Sequence, residues 1–262
     1  MPQRLLEGSF QMKASILKNK NIKELIYTIL SIVALLILWK VLSTVVDKEI
    51  LIPSPEITFS EILRIFNSPS FVTSVLNTLR RALIGFIIAL GAGVSLGMIG
   101  GFSKTIYYLL RPIILINKAV PTMAIILLAL IWLESERAPI LVGFVVIFPV
   151  IYESVVQGIR NVDMKLVEMM EMYNISWFDK LKDLYIPSIR SYLFGAMSAA
   201  MGLNLKIIIA AEVLSQPRVS IGTHFQIERA NLNTAGVFAW SIITILLAAI
   251  LEQTIEIFKN NN

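Results

Sequence analysis

Few residues in this chain could do covalent chemistry. Cysteine is absent, which removes thiolate nucleophiles, disulfides and Cys-ligated metals. His224 is the single histidine, with no second imidazole at ligand spacing, and it reads as an exposed loop residue. No Gly-x-x-x-x-Gly-Lys-Ser/Thr loop occurs, so the chain carries no Walker-type nucleotide site, and no Gly-x-Ser-x-Gly elbow presents a nucleophile. Asp163, Asp179 and Asp183 share one polar stretch, where solvation accounts for them. The informative charges are those inside apolar runs: Lys118 in INKAVP and Lys206 in NLKI. An ammonium in hydrocarbon costs about 3 kcal/mol or more, so each must line a cavity, pair or snorkel, and Glu212 is the counter-charge to consider. Pro121 and Asn204 flank these lysines in sequence. The candidates for a solute path are therefore Lys118, Pro121, Asn204, Lys206 and Glu212. Lysines lining such a path would favour anionic solutes, by simple Coulomb attraction.

The surrounding composition fits passage rather than catalysis. Of 262 residues, 56% are hydrophobic and 16% charged, with a mean hydropathy of +0.75. That lies far outside the averages of soluble domains and predicts an all-α, polytopic membrane protein. The net charge of +5 does not point to nucleic acid, because the lysines and arginines cluster in loops as membrane topology requires. No nucleic-acid partner is expected.

About six transmembrane helices are predicted. Residues 1–24 form a basic, cytoplasmic N-terminal segment, and residues 25–46 an apolar anchor with no small-residue cleavage site after it. Residues 47–74 form an external connection that opens on Ile52-Pro53-Ser54-Pro55 and carries a short amphipathic helix over Ile57 to Phe66. The core, residues 75–258, begins with a glycine-rich span in which Gly93 and Gly97 make a small-xxx-small pair. Arg80 and Arg81 near its outer end run against the positive-inside tendency, and read as snorkelling or protein-facing. A third span from about Pro112 to Leu133 is bent by Pro121, and the kink serves either helix packing or a cavity. A fourth follows over Pro139 to Gln157. The fifth, Ser188 to Leu214, has a small-residue run from Gly195 to Gly202 that predicts a helix interface. A polar outer loop, Ser215 to Thr234, leads to the sixth, Ala235 to Phe258. Both chain ends then face the cytoplasm.

Between the fourth and fifth spans the chain turns polar, over residues 161–187. Leu166, Met169, Met170 and Tyr173 recur at helical spacing, Asn174 is suited to a left-handed stop, and Ser176 to capping a second helix with Trp177, Phe178, Leu181 and Leu184. Pro187 suits the first turn of the next span. The pattern is helix, elbow, helix on the cytoplasmic side.

This stretch resembles the cytoplasmic coupling loop of ABC importer permeases, whose pattern is Glu-Ala-Ala, a Gly, and a closing Ile-x-Leu-Pro. Glu168 falls on the Glu, Asn174 on the Gly, and Leu184, Ile186 and Pro187 on the closing triplet, while Met169 and Met170 replace the alanines. Ile52-Pro53-Ser54-Pro55, Ala210-Ala211-Glu212, Ile221-Gly222 and Val237-Phe238-Ala239 resemble the nitrate/sulfonate/taurine-type subgroup of those permeases. The likeness extends over Ile52 to Phe258. It implies a type I importer permease fold in the cytoplasmic (inner) membrane. It also implies a second copy of the chain, two ATP-binding cassette ATPase subunits that hold ATP and magnesium, and an external solute-binding protein. The coupling residues would be Glu168, Met169, Met170, Tyr173, Asn174, Ile175, Leu184, Ile186 and Pro187. The chain itself would be no enzyme and hold no cofactor. A secondary transporter or channel is the alternative class, but its inverted repeats and paired intramembrane carboxylates are not found. The solute implied is small and organic or anionic: a sulfonate, taurine, nitrate or a vitamin precursor.

Overall fold

A computed structural model describes the backbone of residues 3–260 and the side chains of residues 23 and 26–254. The basic side chains expected to mark residues 1–24 as cytoplasmic lie outside those described, apart from exposed Lys23. No strand occurs among the described residues. The helices are α1 (Gln3–Val46), α2 (Pro55–Phe66), α3 (Phe71–Phe102), α4 (Lys104–Ala119), α5 (Thr122–Trp132), α6 (Ala138–Arg160), α7 (Met164–Met172), α8 (Trp177–Lys180), α9 (Ile186–Ser215), α10 (Ile221–Ala230) and α11 (Thr234–Asn260). Among the described residues, five helical stretches are long and apolar enough to cross a membrane: 26–46, 71–102, 138–160, 177–215 and 234–254. A sixth crossing is available only if α4 and α5 count as one broken span, since they meet at 98°.

That break corrects the expectation of one bent helix from Pro112 to Leu133. Val120, the residue before Pro121, is extended (φ −68°, ψ 128°), as the clash with the proline ring demands. Val120 still donates to the Ile116 carbonyl at 3.0 Å. Pro121 has no N–H with which to continue the ladder, and its carbonyl instead starts α5 by accepting from the Ala124 amide at 2.9 Å. Pro112, expected to open the span, lies inside α4.

α6 is the central helix, buried between α3 and α9. A Cβ on Gly93 would approach Ile151 Cγ2 to 2.7 Å, and one on Gly97 would approach Val155 Cβ to 2.8 Å. The two glycines thus let α3 press directly on α6. The same pairing fails for the run around Gly195. Ala200, Met201 and Gly202 are buried, but a Cβ on Gly195 would meet nothing within 4 Å. The inner part of that helix therefore has one open side in the single chain, because only the residues spaced to face α6 and α11 are covered.

The N-terminal anchor is tied on by the proline-rich connection. Ser54 caps α2 by accepting from the Ile57 amide at 3.3 Å, with Pro55 in the first turn. Trp39 Nε1 donates to the Pro53 carbonyl at 2.9 Å, Ser43 Oγ to the Ile52 carbonyl at 3.1 Å, and the Trp39 ring stacks on Phe238 of α11 at 5.7 Å.

Candidate coupling surface and solute path

The polar segment after α6 is built by local hydrogen bonding. The Asp163 carboxylate accepts from the Lys165 amide at 2.9 Å and caps α7. At the other end the Asn174 amide donates to the Glu171 carbonyl at 3.0 Å and the Ile175 amide to the Met170 carbonyl at 2.9 Å. These are the paired bonds of a Schellman stop, and they require the left-handed Asn174, whose φ is 53°. Ser176 Oγ accepts from the Asp179 amide at 3.2 Å and donates to Asp179 Oδ2 at 2.6 Å, starting α8. The expected helix, elbow, helix is present.

The second helix does not end where sequence suggested. α8 runs through one π turn, Leu181–Tyr185, straight into α9, giving a continuous 39-residue helix from Trp177 to Ser215. Pro187 is in its interior rather than at a fresh start. The wider π register, with the Ile186 amide bonded to the Leu181 carbonyl, accommodates the proline that an α ladder would have to accommodate with a kink.

What holds this helix in place was missed in sequence. Phe102, at the end of α3, packs edge-on against Trp177 at 5.2 Å and Tyr185 at 4.9 Å. Trp177 and Tyr185 are two turns apart and so on one face, which was the available signal. Ser188 Oγ donates to the Gly158 carbonyl at 2.6 Å, and the Arg160 guanidinium lies 3.7 Å from the Tyr107 ring centre. The root of the segment is thus fixed to α3 and α6, and α6 in turn to α4.

The tip is not covered. Glu168, Met169, Tyr173, Asn174, Ile175, Ile186 and Pro187 are exposed, while Met170 and Leu184 are partly buried. Met172 is 83% exposed, Tyr173 76% and Phe178 72%. Met172 and Phe178 were not among the expected coupling residues, yet they too are exposed on this segment. Large apolar side chains grouped on an exposed polar segment mark an interaction surface.

The five pathway candidates separate. Lys118 is paired with Glu153 of α6, at 2.8 and 3.0 Å, beside a cavity of about 270 Å³ lined by Tyr107, Arg111, Tyr152 and Gln157 among others. Pro121 is exposed at the break between α4 and α5. Asn204 is fully buried, and its Nδ2 donates to the Ala82 carbonyl at 2.7 Å. Glu212, considered above as the counter-charge to the lysines, belongs instead to Arg81. It is fully buried and accepts from Arg81 Nη1 at 2.7 Å, Thr78 Oγ1 at 2.8 Å and the Gly222 amide at 3.2 Å. A Cβ on Gly222 would run into Glu212, so the Glu and the Ile221-Gly222 pair form one unit. Lys206 is exposed on α9 and makes no ion pair among the described residues.

Arg81, for which the sequence left snorkelling or a protein-facing role open, faces protein. Its other end pairs with Glu136 in the turn between α5 and α6, whose second oxygen accepts from the Arg218 amide at 3.0 Å. Burial works against the charge on Glu136, but the Arg81 and Arg218 hydrogen bonds prevail and hold its carboxyl below the usual range. His224 corrects the loop reading. It is on α10, half-buried, with Nε2 2.9 Å from Ser74 Oγ and its ring stacked on Trp240 at 5.0 Å. Burial lowers its pKa.

An all-α bundle with five or six apolar crossings and one anchored polar helix pair is the architecture of a multi-pass membrane protein. Residues 93–260 match the binding-protein-dependent transport system inner membrane component family, and the chain belongs to it. The taurine transport system permease protein TauC of Escherichia coli is 24% identical over 228 residues, 84% of this chain and 82% of that one. SsuC of Bacillus subtilis, assigned to aliphatic sulfonates transport, is 24% identical over 181 residues, 68% of this chain and 65% of that one. In fold, the chain resembles a solved amino acid ABC transporter, with a TM-score of 0.64 and 15% identity over 74% of this chain and 94% of that chain. The protein is thus a multi-pass ABC importer permease of the subgroup that holds sulfonate, taurine and nitrate permeases.

Proposed function

We propose that this chain forms, with a second copy, the solute path of an ATP-driven importer in the cytoplasmic membrane, and that α7, the elbow and α8 seat it on two ATPase subunits. Both chain ends and residues 161–187 face the cytoplasm, and an external binding protein delivers the solute. The reading rests on the exposed tip: Met172, Tyr173 and Phe178 lie in the open on a segment whose root is pinned to the bundle. Docking there would transmit movement directly, because α8 is continuous with the membrane-spanning α9. ATP binding and hydrolysis on the partner would bias the bundle between two packings, each favoured by different contacts at this tip. The named relatives support a small, sulfonate-, taurine- or nitrate-like solute.

Co-purification with the ATPase subunit, and solute-stimulated hydrolysis by the reconstituted complex, test the assignment. Asn174→Gly should be mild. Asn174→Val, which forces a β-branched residue into the left-handed region at a cost of about 1–2 kcal/mol or more, should lower both readouts. Glu168→Ala should do the same if that carboxylate orients the docked loop. Wild-type levels of bound ATPase and of hydrolysis in both Glu168→Ala and Asn174→Val would overturn the proposal.

A further inference from the structure

Lys206 is the one lysine of the two pathway candidates that makes no ion pair among the described residues. Lys118 has Glu153 at 2.8 Å, and Glu212 is taken by Arg81 at 2.7 Å. The Lys206 side chain is on the face of α9 that no other element covers, in line with exposed Tyr192, Leu203, Ala210 and Leu214.

Snorkelling does not resolve its position. The charged layer at the Ser215 end of α9, formed by Arg81, Glu136 and Glu212, begins six residues further along the helix, about 9 Å by axial rise. Side chains on an α-helix tilt toward its N-terminus. Lys206 therefore leans away from that layer, toward the middle of the span. In the other direction the next cation on the helix is Arg190, about 24 Å away by the same rise. An ammonium held at this depth against acyl chains would cost several kcal/mol, and no carboxylate among the described residues pairs with it: Glu252 of α11 reaches Gly202, one turn back on α9, but makes no ion pair with Lys206. The adjacent residues sharpen the contrast, since Asn204, Leu205, Ile207 and Ile208 are all buried and only the face bearing Lys206 is open.

We infer that Lys206 is presented to water within the solute path, and that with its counterpart from the second copy it forms a cationic station that binds the anionic group of the solute. This rests on the permease reading and names the solute class within it. A small sulfonate or other oxyanion supplies the missing counter-charge, and a cationic solute is repelled. Two lysines related by a two-fold axis would face the path from both sides, so that one anion could engage both.

The native absence of cysteine allows a direct measurement of the local potential. Ala210 is one helical turn from Lys206 on the same exposed face, and Ala210→Cys would be introduced alone. In the assembled complex in nanodiscs, its rate of modification would be measured with two membrane-impermeant methanethiosulfonates, one ending in a sulfonate and one in a trimethylammonium. The anionic-to-cationic rate ratio should fall on the order of tenfold when Lys206→Met is added, and Lys206→Arg should preserve it. Taking the ratio cancels any change in thiolate fraction, which affects both reagents alike. Failure of both reagents to react, resting and during ATP turnover, would place this face in lipid or in a dry contact and overturn the inference. An unchanged ratio in Lys206→Met would overturn it equally. Bound ATPase and stimulated hydrolysis, read on the same preparations, report separately on coupling. The station can therefore fail while the coupling reading stands.

Discussion

Replacing Glu212 with alanine should be among the most damaging single changes in the bundle. The carboxylate is fully buried and holds three donors, from Arg81, Thr78 and Gly222. Removing it leaves Arg81, only 1% exposed, with Glu136 alone. Stranding one partner of a buried ion pair costs about 3–5 kcal/mol. Because Glu136 still neutralises part of the guanidinium, the lower end applies, about 3 kcal/mol. The unpaired Gly222 amide adds about 1 kcal/mol. The total expected is therefore about 4 kcal/mol, and Glu212→Gln, which can still accept from Thr78 and Gly222, should lose about half as much. The decisive comparison is the double variant Arg81→Met with Glu212→Met. It removes both charges and fills the space with apolar atoms, and should recover to within about 1–2 kcal/mol of the native chain, with Glu136 turning to water. Equilibrium unfolding in mixed dodecylmaltoside and dodecyl sulfate micelles, followed by tryptophan fluorescence, gives each difference. A loss below about 1 kcal/mol for Glu212→Ala, or a double variant as unstable as the sum of its singles, would refute the account of this site as a mutually dependent buried pair.

The tight α3–α6 contact makes a paired prediction: Gly97→Val should destabilise by about 1–3 kcal/mol or more through overpacking on Val155. Gly91→Ala, where a Cβ meets nothing within 4 Å, should be neutral or stabilise by up to about 1 kcal/mol, both read in the same unfolding assay. His224 has a folded pKa below its usual 6.5. Its neutral form thus contributes stability that is present above the unfolded value near 6.5 and is lost as pH falls from there through the folded pKa. Unfolding midpoints measured between pH 8 and 5 should drop at the acid end, and His224→Gln should flatten that part of the slope. In the cysteine-free background, Asp179→Cys in intact cells should resist an impermeant maleimide that labels Arg229→Cys from outside, and labelling of Asp179→Cys from outside would invert the topology.

Much of the membrane class was written in periodicity and composition. Apolar runs long enough to span, broken by charged loops, leave the chain little alternative to helices, because lipid offers no partner for backbone N–H and C=O groups. The polar segment after α6 was legible for a related reason. Its caps and its stop are local, made by Asp163, Asn174 and Ser176 with amides a few residues away, so residue type and spacing suffice to place them. Tertiary structure decided which charges meet. Arg81 and Glu212 are 131 residues apart, and Lys118 and Glu153 are 35 apart. In sequence Glu212 was as good a partner for Lys206 as for any other cation. The break at Pro121 shows the same division. The proline announces an interrupted ladder, but whether the chain kinks or turns through 98° depends on where α5 finds its contact against α6 and α9. The two lysines looked alike in sequence, and only the packing of α4 on α6 supplied one with a carboxylate, while the other makes no ion pair among the described residues, because partner choice depends on contacts between helices that no local pattern encodes.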